Sequence, residues 1–282
     1  MSDVRIGIIG GSGLYELVEG EPQDVATPYG LARVTVGELA GRRVAFLARH
    51  GAGHALPPHR INYRANIWAL ASLGVRAIVS SSAVGGVTAD YPPGTLALPD
   101  QYLDRTQGRA DTFFDGAAFD GAAFEVTATS VQHLASADPF DPALRAIATS
   151  AVSGVVPTGT IVVIQGPRFS TRAESRWFAS AGANLVTMTL YPEVPLAAEL
   201  NIGTVNLSFV TDADAGLSDP GAEEVSGALV FRRLREAQPR IIAAISAIVS
   251  AIPQDFEGRE LIDRAVVAEV LGRRVATTGV GS

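Results

Sequence analysis

The chain has 282 residues, of which 47% are hydrophobic and 18% are charged, and its formal net charge is −7. This length suffices for one large core in a single α/β domain. The negative charge, without any basic run, argues against a nucleic-acid surface. The absence of cysteine excludes disulfides and thiol chemistry, and the absence of lysine excludes a P-loop and Schiff-base chemistry.

The first predicted strand, Arg5–Ile9, runs into the glycine-rich turn Gly10–Gly13. Such a turn lets backbone N–H groups approach an anion, and Ser12 adds a hydroxyl donor. A dinucleotide-binding fold is the obvious rival. Its G-x-G-x-x-G spacing is missing, however, and no acid ends a strand about twenty residues further on. The turn therefore favours a small anion over a dinucleotide.

Two further predicted strands end in residues suited to phosphate. Arg43–Ala48 is followed by Arg49 and His50. An arginine offers a permanently charged fork of donors, although an ordinary surface arginine beside a loop histidine is an equally good interpretation of this dipeptide alone. Ala77–Ser80 is followed by the small residues 81–86, which include Ser82 and predict a second anion cradle rich in backbone donors.

The fourth predicted strand, Thr204–Val210, leads to Asp212 and Asp214. The period of two places both carboxylates on one side of the chain, at the strand end where open α/β sheets bind ligands. A carboxyl group there can accept a hydrogen bond, or hold a proton and donate it. Alone, the pair is more simply interpreted as turn-capping aspartates.

The remaining chain shows neither a metal site nor a membrane segment. Its four histidines lack the spacing of a zinc site. The longest apolar run, Ile241–Ile252, has helical spacing and is too short to span a bilayer. The N-terminal sequence lacks the pattern of a signal peptide, so we expect a cytoplasmic protein.

Taken together, these motifs resemble the trimeric nucleoside phosphorylase family, and in particular its members that act on 5′-methylthioadenosine. The resemblance extends from about residue 4 to residue 250. It is carried by the following segments, in the family's order and approximate spacing: Ile6–Gly13, Thr27–Gly30, Phe46–Gly51, Arg60–Leu70, Ala83–Gly86, Pro99–Thr106, Gln165–Ser175, Met188–Thr189 with Pro192–Glu193, and Thr211–Asp214.

The resemblance implies a role for each candidate residue. Phosphate contacts fall on six positions: Ser12, Arg49, His50, Ser82, Ala83 (through its N–H) and Thr189. The ribose and base contacts fall on five: Phe169, Met188, Thr211, Asp212 and Asp214. Phe169 precedes a predicted capping box, Thr171 with Glu174, on a helix that ends near Gly182. Without the resemblance, Met188 and Phe169 would be assigned to the core.

The aspartate pair implies a preference for 6-aminopurines. A carboxylate can accept from the 6-amino group and hydrogen-bond or protonate N7, whereas family members that take 6-oxopurines typically have Asn there. The 5′ pocket maps to His133 of a neighbouring subunit and to Val230 and Phe231, with Gly227 where the family often has a larger residue. On sequence alone, the last two apolar residues also fit the buried stripe of a helix.

The sequence therefore predicts an α/β protein with a central mixed, twisted sheet flanked by helices. We expect a nucleoside phosphorylase domain over residues 1–252, then a C-terminal extension, 253–282, with a helix over Glu260–Leu271 and a flexible tail. The resemblance implies a homotrimeric pentosyltransferase of purine salvage that cleaves 5′-methylthioadenosine with inorganic phosphate as co-substrate and without cofactor or metal. The alternatives are a purine nucleoside phosphorylase for adenosine or 6-oxopurines, a nucleosidase that uses water, and a non-catalytic nucleoside-binding protein.

Overall fold

The computed structural model describes residues 4–115, 131–217 and 225–273. The strands in these residues are β1 (Ile6–Gly10), β2 (Pro22–Thr27), β3 (Gly30–Leu39), β4 (Arg42–Ala48), β5 (Ala77–Gly86), β6 (Leu96–Ala97), β7 (Gln101–Arg105), β8 (Thr160–Ile164), β9 (Leu185–Thr187) and β10 (Gly203–Ala213). The helices are α1 (Tyr63–Ser72), α2 (Pro142–Ala151), α3 (Arg172–Ser180), α4 (Glu193–Glu199), α5 (Gly227–Ala251) and α6 (Arg264–Leu271).

All the described strands belong to one mixed sheet. Its main order is β2-β3-β4-β1-β5-β9-β8-β7, and β10 joins it beside β5. The pairs of β1 with β4 and β5, of β5 with β10, and of β8 with β7 and β9 are parallel. The pairs of β3 with β2 and β4, and of β9 with β5, are antiparallel. The predicted mixed sheet flanked by helices is confirmed.

The sheet splits along one side of β5. On that side β1 pairs with residues 77–80, and β9 pairs only with Gly85 and Gly86. On the other side β10 pairs with β5 from Ala77 to Gly86. Among the described residues, no strand therefore covers residues 81–84 on the first side, and their backbone faces a cleft between β1 and β9.

β5 is longer than the sequence suggests. The small residues after Ser80 were expected to form a loop, but the strand continues to Gly86. The reason is its partner, because β10 supplies a parallel ladder to every residue of this stretch. Small residues also suit the crowding there, since a Cβ on Gly86 would lie 2.2 Å from the carbonyl oxygen of Tyr91. The cradle expected from a loop is thus a strand edge.

Helices cover both faces of the sheet. One buried cluster joins α1, α4 and α6 to the sheet, and another joins α2 and α5 to it. The C-terminal segment contributes to the first cluster through Ile262, Val267 and Val270. The indole N–H of Trp68 also donates to the carbonyl of Val270 at 3.0 Å. Residues 262–270 therefore pack on the same core as the preceding chain.

The predicted helices are present, but the residues at which they begin and end differ from the predicted ones. The capping box of Thr171 and Glu174 is present at the start of α3 and confirms that prediction. α5 extends well beyond the predicted run, back to Gly227, and α6 begins at Arg264 rather than Glu260. The expected tail, from Ala276, lies outside the described residues. No helix in the described ranges has the length and apolar character needed to cross a membrane.

Candidate active site

A cavity of about 500 Å³ opens at the split in the sheet. This volume lies in the usual range for small-molecule sites. Most of the residues predicted from the sequence line it, namely Ser12, Arg49, His50, Ala83, Phe169, Met188, Thr189, Thr211, Asp212, Asp214, Val230 and Phe231. Residues separated by more than two hundred positions in the chain are thus brought together.

Two predicted residues do not line this cavity. Ser82 is buried between β5 and β10, where its hydroxyl oxygen accepts a hydrogen bond from Asn206 Nδ2 at 3.0 Å. Asn206 also donates to Ser80 Oγ at 2.9 Å and accepts from Ser208, which makes a buried polar ladder. His133 is exposed on its own chain, so its expected role depends on a neighbouring subunit.

The glycine-rich turn packs directly on β5. The N–H of Gly11 donates to Ser81 Oγ at 3.0 Å. A Cβ on Gly11 would lie 2.5 Å from the carbonyl oxygen of Ser81 and 3.1 Å from a guanidinium nitrogen of Arg49. Glycine is therefore required here for close approach between two backbones. This packing sets Ser12 at the cavity wall.

Arg49 lines the cavity, is fully buried, and forms a salt bridge with Glu193. Its Nε and Nη2 bind the two carboxylate oxygens of Glu193, the latter at 2.8 Å, and its Nη1 donates to the carbonyl of Ser81 at 2.7 Å. Burial would lower the pKa of Arg49, but the charge and hydrogen bonds of Glu193 outweigh it and raise the pKa. Two of its five N–H groups remain for a ligand.

His50 is held as a neutral imidazole. Burial lowers its pKa to about 4, and the charge of Arg49 acts in the same direction. Its Nδ1 lies 2.8 Å from the carbonyl oxygen of Leu56, so Nδ1 carries the proton and Nε2 is the acceptor. A second histidine, His54, stacks on it at 4.1 Å between ring centroids and contacts Tyr15 through Nδ1 at 3.3 Å.

Asp212 follows an irregularity in β10. The register with β5 shifts between Val210 and Asp212, as a bulge at Thr211 would produce. Burial raises the pKa of Asp212 to about 6, and the charge of Asp214 adds to this effect. The Thr211 hydroxyl, which donates to Asp212 at 2.7 Å, acts in the opposite direction. Asp212 can therefore hold a proton near neutral pH.

Asp214 is buried beside it and is held differently. The hydroxyl of Ser170 lies 2.8 Å from both carboxylate oxygens of Asp214. The N–H of Asp214 donates to the carbonyl of Gly86 at 2.9 Å. Phe169, next to Ser170, is 38% exposed at the cavity wall, an unusual exposure for a phenylalanine. The loop before α3 thus supplies a flat aromatic face and fixes one of the two acids.

One part of the cavity wall is apolar. Val230 and Phe231 come from the first turns of α5, beside Gly227. The ring of Phe231 meets the ring of His54 edge-on, at 5.2 Å between centroids. α5 is also tied to β10, since the guanidinium of Arg233 donates to the carbonyl of Thr211.

Sequence reasoning missed three contributors: Glu193, Ser170 and His54. Glu193 lies within a matching motif, but its partner Arg49 is 144 residues away, and no local pattern reveals such a pair. Ser170 directly follows Phe169 and is recognisable only once Asp214 is known to face it. In the described residues, no three His, Asp or Glu side chains are grouped as metal ligands.

The arrangement combines neutral and charged hydrogen-bond donors suited to an anion, an aromatic face, and the carboxyl of Asp212, whose pKa is raised to about 6. The model of the phosphorylase superfamily matches residues 5–250. The chain therefore belongs to the phosphorylase superfamily, and the expected nucleoside-phosphorylase fold is confirmed.

Within this superfamily, the chain is similar to several phosphorylases. The chain is 46% identical over 260 residues to a purine nucleoside phosphorylase of Streptomyces coelicolor, covering 90% of this chain and 91% of the relative. It is 51% identical over 218 residues to an S-methyl-5′-thioadenosine phosphorylase of Mycolicibacterium smegmatis, covering 76% and 79%. A solved structure of methylthioadenosine phosphorylase from Schistosoma mansoni with adenine aligns with a TM-score of 0.79, at 30% identity over 95% of this chain and 96% of that one.

Proposed function

We propose that this chain catalyses the phosphate-dependent cleavage of the N-glycosidic bond of 5′-methylthioadenosine. The products are adenine and 5-methylthioribose 1-phosphate, and inorganic phosphate is the co-substrate. The observation that carries the proposal is the buried Asp212, whose pKa of about 6 lets it hold a proton beside a set of anion donors in one cavity. Relatives at 51% and 42% identity carry the name of this activity.

Phosphate binding is assigned to the donors around the cleft. Ser12 and Thr189 offer hydroxyls, Arg49 offers its two remaining N–H groups, and the open edge of β5 offers the backbone at Ala83. The neutral His50 presents an acceptor nitrogen, which suits a phosphate that still carries one proton. Phosphate held against the sugar stabilises the positive charge that develops there as the bond breaks.

Departure of the base is assigned to the aspartates. Cleavage leaves negative charge on the purine, and a proton held by Asp212 can be donated to N7 as that charge develops. Asp214, fixed by Ser170, accepts a hydrogen bond from the 6-amino group. A charge-assisted hydrogen bond contributes about 1.5–3 kcal/mol, so proximity of the two substrates supplies a further large share of the acceleration. The reaction proposed needs neither an organic cofactor nor a metal.

The 5′ substituent is assigned to the apolar wall. Val230 and Phe231 favour a thioether over a hydroxyl, because a hydroxyl there would lose hydrogen bonds to water. Gly227 leaves space beside them. The imidazole of His54 is a polar group in contact with this wall, through the ring of Phe231.

A second candidate is a purine nucleoside phosphorylase of adenosine or 6-oxopurines. It is favoured by the Streptomyces coelicolor relative, which bears that name at 46% identity. Adenosine differs from 5′-methylthioadenosine only in its 5′ substituent, whereas a 6-oxopurine nucleoside differs at the base and presents an acceptor to Asp214. A site built for one hydrogen-bond pattern can reject the other by roughly 10⁴ in favourable cases.

Product release from four reactions tests these proposals. 5′-Methylthioadenosine, adenosine and inosine are compared with phosphate, and 5′-methylthioadenosine is also followed without it. We expect adenine release that requires phosphate and little turnover of inosine. Release without phosphate would indicate a nucleosidase, preferential turnover of adenosine or inosine would favour the second candidate, and binding without turnover would indicate a non-catalytic protein. An Asp214→Asn variant that gains inosine activity would confirm the role given to this acid.

The proposal also includes a homotrimer in which His133 of one copy completes the 5′ pocket of the next, and a cytoplasmic location. His133 is exposed on its own chain and is therefore accessible to a neighbouring copy. Light scattering gives the oligomeric state directly. A His133→Ala variant that alters KM for 5′-methylthioadenosine but not for phosphate would agree with the role proposed.

A further inference from the structure

Arg109 lies outside the cavity and makes an unusually dense set of hydrogen bonds. Its Nη2 donates to the carbonyls of Met188 at 2.9 Å and Gln165 at 3.1 Å, and its Nε donates to Gln165 Oε1 at 3.2 Å. Its Nη1 donates to the carbonyl of Tyr191 and to the hydroxyl of Tyr63, the latter at 3.2 Å. All five N–H groups therefore have an acceptor, and none is left for a substrate.

Three of these acceptors, on Gln165 and Met188, lie on the two segments that flank the base side of the cavity. Gln165 follows β8 and begins the loop that carries Phe169 and Ser170. Met188 follows β9 and lines the cavity itself. One guanidinium group thus joins the main chains of both segments from behind the cavity wall.

The two segments pack closely at Gly166 and Met188, where there is no room for a larger side chain on residue 166. Gly166 has φ +64, and a Cβ there would lie 2.7 Å from the sulfur of Met188. Gln107, two residues before Arg109, adds a reciprocal pair of hydrogen bonds with the Gln165 side chain, at 3.1 and 3.0 Å. Residues 107 and 109 therefore form hydrogen bonds with both the side chain and the backbone carbonyl of Gln165.

The same guanidinium reaches the start of α4. Tyr191, whose carbonyl it binds, stands two residues before Glu193, the carboxylate that holds Arg49. Arg49 is held by Glu193 and Ser81, and the N–H of Gly11 in the glycine-rich turn is held by Ser81, so none of these contacts involves Arg109. Gln165, by contrast, is hydrogen-bonded through its side chain and its carbonyl to residues 107 and 109. Loss of Arg109 is therefore expected to loosen the base side more than the phosphate side.

We propose that Arg109 is a positioning residue, which sets the distance between the base-binding loop 165–170 and Met188. The inference rests on the proposed function, because it assigns purine and ribose to these two segments. Its effect follows from geometry, since a displacement of about 1 Å at a reacting centre can cost roughly 100-fold in rate.

The test uses Arg109→Ala and Arg109→Lys in the full chain. We expect kcat for the preferred nucleoside to fall roughly 100-fold in Arg109→Ala while KM for phosphate stays within about threefold. Added guanidinium ion should restore at least about tenfold of the lost rate, because it can occupy the vacated donor site. Arg109→Lys should stay low, since an ammonium has three donors without the planar fork.

Arg145 provides the matched control. Its guanidinium donates to the carbonyls of Leu98, Pro99 and Pro157, which do not line the cavity. Arg145→Ala should lose thermal stability without the selective fall in kcat and without rescue by guanidinium. Equal kinetic effects in both alanine variants, or wild-type kinetics in Arg109→Ala, would overturn the proposal.

Hydrogen exchange gives a readout that needs no turnover. The amides of Gly166 and of residues 168–170 should exchange at least about tenfold faster in Arg109→Lys than in the wild type, with the amides of β1 and β5 unchanged. Unchanged protection of 166–170 would overturn the inference even in an active enzyme. If the wild type turns over none of the nucleosides, the proposed function fails, and the exchange measurement alone decides the structural role of Arg109.

Discussion

Replacing Asp212 by Asn tests the central feature of the site through stability as well as rate. The pKa of this buried carboxyl is raised from its usual 3.8 to about 6. Each pKa unit corresponds to about 1.36 kcal/mol, so a charged Asp212 costs the native state up to about 3 kcal/mol at pH 8. An amide of the same shape removes that cost and can still accept from the Thr211 hydroxyl.

The sign of the effect follows from proton binding. Because the native pKa is the higher one, the native state holds more protons between pH 4 and 6, and its stability falls as pH rises through this window. Asp212→Asn should therefore melt about 5–10 °C above the wild type at pH 8, and the difference should vanish below about pH 4. Thermal melts across this range measure it.

The same variant should lose activity. Removal of the proton donor should lower kcat/KM for the 6-aminopurine substrate by roughly 10- to 100-fold, the worth of one charge-assisted hydrogen bond. The exposed Asp90→Asn is the control for the removal of one negative charge, and it should change neither quantity. A variant that is less stable than the wild type at pH 8, or equally stabilised at all pH values, would refute the reasoning.

Three further predictions concern the residues proposed to bind phosphate and the glycine-rich turn beside them. Ser12→Ala should raise KM for phosphate by about tenfold and Ser82→Ala by less than about threefold, because only the first side chain lines the cavity; equal effects would mean that Ser82 turns toward the ligand. Gly11→Ala should lower the melting temperature and raise KM for phosphate, since its Cβ would lie 2.5 Å from the carbonyl oxygen of Ser81; unchanged kinetics would contradict this. His50, with its pKa lowered to about 4, should remain neutral and protonated on Nδ1 from pH 5.5 to 8 in ¹⁵N NMR spectra; a titration near pH 6.5 would show that burial is overcome.

The sequence was sufficient to predict the strands whose hydrophobic runs are locally complete. β1, β4 and β10 appear within a few residues of their predicted bounds. β5 was predicted too short, because its second half consists of small residues that resemble a loop. Only pairing with β10, more than a hundred residues later in the chain, makes that stretch a strand.

The residue types at strand ends and the family resemblance were enough to predict most of the residues that line the cavity. They could not indicate which of these side chains already form hydrogen bonds or salt bridges with other residues of the chain. Ser82 was assigned to phosphate on the basis of its type, whereas its alternation along β5 directs it to Asn206. Glu193 escaped notice because a salt bridge between distant segments leaves no local pattern.

The pairing of Arg49 with Glu193 has a consequence for how the site responds to salt. Among the residues that the structure describes, the cavity wall contains one arginine, whose charge is balanced by Glu193 before any ligand arrives, and two aspartates face the same space. An anion entering it meets oriented N–H and O–H dipoles rather than net positive charge. Phosphate capture should therefore depend little on ionic strength, because screening acts on charges far more than on short hydrogen bonds.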